Sequence, residues 1–157
     1  MYPADTVTSG LNRAGGWIML LWPIRWRTPR AAIDLGDRLS TRGDLDGALR
    51  AFQRAMDSND YHCRPGGAWW MANLLRRQGD RDAAQACYQR AIDSRHEAWA
   101  PRAATDLADM LIEQGHTAMA CSYYQLAITY GDPANPDSIW ARRAQERLDA
   151  LLARPDD

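Results

Sequence analysis

Lysine is missing from this chain: every one of its 19 positive side chains is Arg, while Asp far outnumbers Glu. That bias points to a GC-rich, bacterial genome, an inference about codons and not about chemistry. Phenylalanine occurs once, at Phe52. The three cysteines, Cys63, Cys87 and Cys121, are odd in number and show no CxxC spacing. Neither a disulfide framework nor a zinc site is signalled, and reduced, partly buried thiols in a cytoplasmic protein are the expectation. No excess of either charge is present, since the formal net charge is −1. This argues against a whole-surface electrostatic footprint for nucleic acid and leaves only a local patch. The apolar run Trp17–Trp22 falls far short of the about 20 residues that a bilayer-spanning helix needs.

At 157 residues and 46% hydrophobic, the chain suits one domain. A domain of this length buries roughly 70% of the surface its unfolded form exposes. Residues 1–15 have no apolar period and several turn formers, and read as a poorly ordered start. Next comes GWIMLLWPIRWR, where the apolar run meets Pro23 and a cluster of Arg25, Arg27 and Arg30. With only Arg13 ahead of it and no small-x-small cleavage pattern, a secretory signal fits poorly. An interfacial Trp/Arg anchor is a second reading. The favoured one packs the apolar run on the end or groove of a helical stack built by the rest of the chain, so that residues 1–28 form an N-terminal segment partly disordered or packed on the stack.

From Pro29 onward the sequence repeats. A shift of 36 residues brings Pro29, Pro65 and Pro101 into phase, with Ala32, Ala68 and Ala104, and with Gly43, Gly79 and Gly115. The same shift aligns Ala48, Ala84 and Ala120, then Phe52, Tyr88 and Tyr124, then Ala55, Ala91 and Ala127. A period in the thirties without strand-like alternation means stacked helical units that bury their apolar faces only against neighbours. An all-α solenoid of three helix-turn-helix units is expected, over 29–64, 65–100 and 101–137, with a capping helix and tail over 138–157. Helix A of each unit should start at its proline, whose missing N–H would be unpaired there anyway, and end before its glycine. Asp44, Asp80 and Thr117 should cap the B helices. The spacing of four and three puts each small-aromatic-small trio of helix B on one face as core. In the capping helix, Ile139, Trp140, Ala144, Leu148 and Leu151 form the apolar side.

These landmarks resemble the tetratricopeptide repeat, a helix-turn-helix unit of about 34 residues; the period of 36 leans slightly toward the related Sel1-like units, while the tight internal turn at Gly43, Gly79 and Gly115 favours the tetratricopeptide reading. The family's small and aromatic places hold Ala32, Leu35, Gly36, Leu39, Ala48, Phe52 and Ala55 in the first copy, and equivalents in the other two. The resemblance implies a concave surface lined by helix A. Carried over, its places give Arg30, Ile33, Asp37, Ser40 and Thr41; Gly66, Trp69, Asn73, Arg76 and Arg77; and Arg102, Thr105, Asp109, Ile112 and Glu113. Helical spacing alone puts Trp69, Asn73 and Arg76 on one face, opposite Met71 and Leu75.

The candidate partner-binding residues are therefore Asp37, Trp69, Trp70, Asn73, Arg76, Arg77, Arg102, Asp109 and Glu113. Trp and Arg are enriched in binding hot spots. Against this, Trp69 and Trp70 equally suit core between repeats, and Arg76 and Arg77 suit a solvated helix end where positive charge is favoured. The carboxylate clamp of some family members is not expected, because only Asn73 matches it and Trp69 stands where a Lys would be.

No chemistry is signalled. His62, His96 and His116 are scattered over links without metal-ligand spacing and read as exposed loop residues. The glycine pairs lack the spacing and preceding strand of a nucleotide loop. Cys63 beside His62 lacks the geometry a base needs, and Asp37, Asp106 and Asp109 facing one groove serve recognition as well as acid-base work. No catalytic residue, metal or cofactor is expected. The reading is a protein-protein interaction adaptor that binds a partner's peptide or helix. Its alternatives are a nucleic-acid binder using Trp stacking and Arg phosphate contacts, and a peripheral membrane adaptor held by the N-terminal segment. Short stacks with uncovered ends also pair, so a homo-oligomer is a further expectation.

Overall fold

The structure, a computed structural model, describes residues 28–131 and 138–153. The Trp/Arg segment of residues 1–27, most of the GDPANPD stretch and the tail from 154 lie outside the described residues. Seven helices occur among the described residues: α1 Pro29–Thr41, α2 Leu45–Met56, α3 Cys63–Gln78, α4 Arg81–Asp93, α5 Trp99–Glu113, α6 Thr117–Gly131 and α7 Ile139–Leu152. Each helix packs on the next, while α1 also meets α3, α3 meets α5 and α5 meets α7. The odd-numbered A helices thus form one row, and α2, α4 and α6 form the other.

Local chemistry sets the turn inside each unit. Gly43, Gly79 and Gly115 have φ of 83°, 88° and 81°, the left-handed region that glycine reaches without a Cβ penalty. One residue on, Asp44 accepts the Gly47 amide at 2.9 Å and Asp80 accepts the Ala83 amide at 3.1 Å. Each satisfies a donor that the first helical turn leaves without a partner. In the third unit α6 begins at Thr117 itself, so the cap position falls one residue earlier than expected, at His116.

The A-helix starts also differ. Pro29 is the first residue of α1, and the Thr28 hydroxyl caps it by accepting the Ala31 amide at 3.2 Å. By contrast α3 and α5 begin at Cys63 and Trp99, two residues before Pro65 and Pro101. Proline is tolerated there because none of the first four amides has an intrahelical acceptor to lose.

The trios of the B helices are core. Phe52, Tyr88 and Tyr124 are 1%, 0% and 2% exposed, between alanines at 0%. Burying such a side chain contributes about 1.5–3 kcal/mol, and the small flanking residues let the rows approach. The Tyr124 hydroxyl donates to Asp109 at 2.5 Å; that of Tyr88 is buried with no partner among the described residues. On α7 the buried residues are Ala141, Ala144 and Leu148, whereas Ile139 is 62% exposed, so the expected apolar side of this helix is narrower than its sequence suggests.

Candidate functional site

The A helices are not open along their whole length. Along α3 every residue from Pro65 to Trp69 is buried, and along α5 every residue from Ala103 to Ala108 is; their C-terminal turns, with Arg77, Gln78 and Glu113, are exposed. Places two and five of each unit therefore fall mostly between helices: Ile33, Gly66 and Thr105 are buried. The face that remains open is carried by the C-terminal halves of the A helices.

Trp69 illustrates the buried part. It is 6% exposed, and its indole N–H donates to Asp106 Oδ2 at 2.7 Å. The Arg102 guanidinium carbon lies 3.6 Å from its ring centre, and the Trp99 ring lies 5.7 Å away. Of the two readings of this residue, core between repeats is the one its surroundings match. Trp70 is half-buried, stacked on Phe52 at 6.0 Å and edge-on to Trp69 at 5.0 Å. Asp106, set beside Asp37 and Asp109 by the sequence, is instead 9% exposed and tied to Trp69. Burial raises its carboxyl above the usual range, opposed by the Trp69 hydrogen bond and by the charges of Arg143 and Arg102.

Arg76, Glu113 and Asp109 form cross-helix links. Arg76 on α3 reaches Glu113 on α5 at 3.9 Å, with both side chains partly exposed at 32% and 54%. Asp109 accepts from Tyr124 at 2.5 Å and from Arg143 of α7 at 2.8 Å, with Arg147 at 4.0 Å. Asn73 donates to the Trp69 carbonyl at 3.0 Å. Arg77 and Asp37 are exposed. The structure thus brings Arg76 and Glu113 together across α3 and α5, ties Asp109 to α6 and α7, and sets Asn73 on the carbonyl of the buried Trp69, while Arg77 and Asp37 join none of these links. Arg143 and Arg147 were not legible as part of this face, because the capping helix carries none of the repeat landmarks that assign places.

Models of the tetratricopeptide repeat match residues 29–54 and 68–95. The chain carries tetratricopeptide repeats. The matched stretches cover α1 with most of α2, and most of α3 with α4, so both complete helix pairs before α5 bear the repeat pattern. Tetratricopeptide repeats are protein-protein interaction modules as a family, not catalytic ones. No curated protein matches the chain. Among the described residues no helix is long and apolar enough to cross a membrane.

One tetratricopeptide link departs from expectation. His96 is not an exposed loop residue but 2% exposed, and its Nε2 lies 2.7 Å from Nδ1 of His62. His96 Nδ1 accepts the Ala98 amide at 3.1 Å, so the ring proton sits on Nε2 and is donated to His62. Tyr61 stacks on His96 at 4.6 Å. His96 holds the link before α5 as Asp60 holds the link before α3, where Asp60 accepts the His62 and Cys63 amides at 3.0 and 2.7 Å. The same surroundings push the Cys63 thiol up to about 11, by burial first and then by Asp60; a thiol so held is not an activated nucleophile.

Both imidazoles must be neutral for this network. Burial, then the neighbouring His62, lowers the His96 pKa, while the unfolded chain protonates it near pH 6.5. The unfolded state therefore binds more protons below that pH, and stability falls as pH drops from 6.5 through the folded value, by at most about 1.4 kcal/mol per pH unit for one proton. Thermal melts at pH 7.5 and 5.5 should show this loss, and His96→Asn, which keeps an acceptor for the Ala98 amide, should flatten it. An unchanged slope in that variant would place the pH sensitivity elsewhere.

Proposed function

We propose that the exposed C-terminal halves of α1, α3 and α5, with the facing side of α7, form a concave surface that binds a peptide or helix of a partner protein. The observation that carries this reading is the Arg76–Glu113 pair: it is long, at 3.9 Å, and both side chains are partly exposed. Such a pair contributes little to stability, typically below about 1 kcal/mol, so its groups are free to exchange partners. Arg77 stands beside it, exposed and without an ion pair among the described residues. Asp109 is satisfied within the protein by Tyr124 and Arg143 and Glu113 pairs with Arg76, which leaves Arg77 and Arg147 as the surplus charge on this side. A segment with acidic residues toward α3 and α7 complements it.

In this reading residues 1–28 are a separate segment, residues 138–157 close the stack, and the chain works as a cytoplasmic adaptor without a cofactor. The test is affinity capture of a partner, followed by its dissociation constant for the parent and for the Arg76→Glu/Arg77→Glu variant. Weakening of about tenfold or more is expected, with the helical content unchanged because both side chains reach solvent. Equal affinity would remove this surface from consideration.

A further inference from the structure

We propose that residues 17–22 of this chain dock on the outer face of α1, at Ala31 and Leu35, in the place that the B helix of a preceding unit would take. The repeat shows what this face packs against. One unit on, the equivalent places of α3 are Gly67, Trp70, Met71 and Leu74. A Cβ at Gly67 would lie 2.8 Å from the Ala55 side chain of α2, Trp70 stacks on Phe52 at 6.0 Å, and Leu74 shares a cluster with Ala48 and Phe52. In the third unit Ala103, Leu107 and Met110 hold the same places, and all three are 0% exposed. In the first unit the places hold Ala31, Asp34, Leu35 and Arg38, and no described helix precedes them. Ala31 and Leu35 are partly exposed and belong to none of the three core clusters. A small and an apolar side chain are thus turned toward a neighbour that no described residue supplies.

The chain's own preceding segment fits this place by reach, chemistry and charge. Residues 17–22 read WIMLLW, six apolar residues in a row, and Pro23 ends the run. Six residues, 23–28, join the run to α1, as many as the residues 57–62 that join α2 to α3. Such a link spans at most about 20 Å, whereas α7 lies three helix spacings along the A row, about 25–30 Å away. Trp22 therefore stays near the first units. α2 runs antiparallel to α3, since Gly67, Trp70 and Leu74 meet Ala55, Phe52 and Ala48 in turn. The same return sets Trp22 beside Ala31 and Trp17 toward Arg38. Arg38 stands where Leu74 and Met110 are core, and has no ion pair among the described residues; an indole face suits such a guanidinium. The concave side is the other surface within reach, and charge disfavours it. Arg25 and Arg27 follow the run with no acid before Asp34, and the surplus charge of the concave side is also positive. The outer face carries Asp34 itself, paired only with Arg30, at 3.4 Å and open to solvent on both sides. The trio of the B helices does not continue into this segment, where Asn12, Gly16 and Met19 hold its places. The run is a cover for the stack and not a fourth repeat.

Docking here leaves the C-terminal halves of the A helices open, so it stands or falls separately from the partner surface. In the full chain with methyl-labelled Ala and Leu, nuclear Overhauser contacts should join side chains of residues 17–22 to the methyls of Ala31 and Leu35. Amide hydrogen exchange over residues 17–22 should be slower than in a free peptide of residues 1–27 by at least about tenfold. Leu35→Asp and Ile18→Asp should each remove the contacts and return exchange to the free-peptide rate, with far-UV circular dichroism unchanged. Ile18→Asp keeps the test readable where Leu35→Asp disturbs α1, because position 18 lies outside the described helices. Free-peptide exchange in the parent, or contacts from residues 17–22 to Asn73 or Ile112 on the concave side, would overturn the proposal. So would contacts seen only between labelled and unlabelled copies, since a second chain would then be the occupant. Protection that appears only with phosphatidylglycerol vesicles would overturn it as well, and would make the segment a membrane anchor.

Discussion

Trp69→Ala should unfold the chain rather than weaken a ligand. Removing a buried Trp side chain costs about 3–5 kcal/mol through lost burial and the cavity left behind, and Trp69 is 6% exposed. Two further losses fall on its neighbours. Asp106 keeps its burial but loses the donor 2.7 Å away, a penalty of about 1–3 kcal/mol, and Arg102 loses the ring it stacks on at 3.6 Å, worth about 1–2 kcal/mol. These losses share one site and do not add in full. Even about 4–5 kcal/mol consumes from about a third to nearly all of the stability of an ordinary domain, which is about 5–15 kcal/mol. Chemical denaturation followed by far-UV circular dichroism checks this. Trp69→Phe, which keeps the ring but not the N–H, should fall between parent and Ala. Trp69→Ala within about 1 kcal/mol of the parent would mean that the ring is not part of the inter-repeat core. It follows that a binding test through Trp69→Ala, natural from the sequence, reports on folding.

Gly67→Val should be nearly as damaging for the opposite reason. A Cβ built at Gly67 lies 2.8 Å from the Ala55 side chain and 3.0 Å from both the Met56 amide nitrogen and the Phe52 carbonyl oxygen. Two of these contacts are backbone of α2, which has no rotamer to change. α2 and α3 would have to separate, opening the packing around Phe52 and Ala55, which are 1% and 0% exposed. Overpacking of this kind costs about 1–3 kcal/mol, and more where backbone is struck; about 3 kcal/mol is expected for Val and less for Ala. An unchanged denaturation midpoint for Gly67→Val would show that the first and second repeats do not approach this closely.

The repeat was legible because its landmarks are tied to local geometry. A glycine at positive φ, a carboxylate cap and a small-aromatic-small face each leave a mark at one fixed place, and the shift of 36 residues aligns them. The candidate site was legible only in part, because helical spacing gives the direction of a side chain and not what covers it. Trp69, Asn73 and Arg76 do lie along one side of α3, yet Trp69 is closed over by Arg102 and Trp99, while Arg76 remains partly open. Depth along the helix decided the difference, and depth depends on where the neighbouring A helix sits. His96 escapes a reading by spacing for a related cause. Its burial arises from contacts with His62 and Tyr61 across two links, 34 and 35 residues away in sequence. Asp109 shows a third case, since its partners Arg143 and Arg147 come from a helix outside the repeat pattern.

The most direct test of the interaction surface is backbone amide NMR of the chain with and without its captured partner. Perturbations should centre on Asn73, Arg76, Arg77, Ile112 and Glu113, on the adjoining C-terminal turns of α3 and α5. Perturbations confined to the outer faces of α2, α4 and α6 would contradict the account and move the binding surface to the other side of the stack.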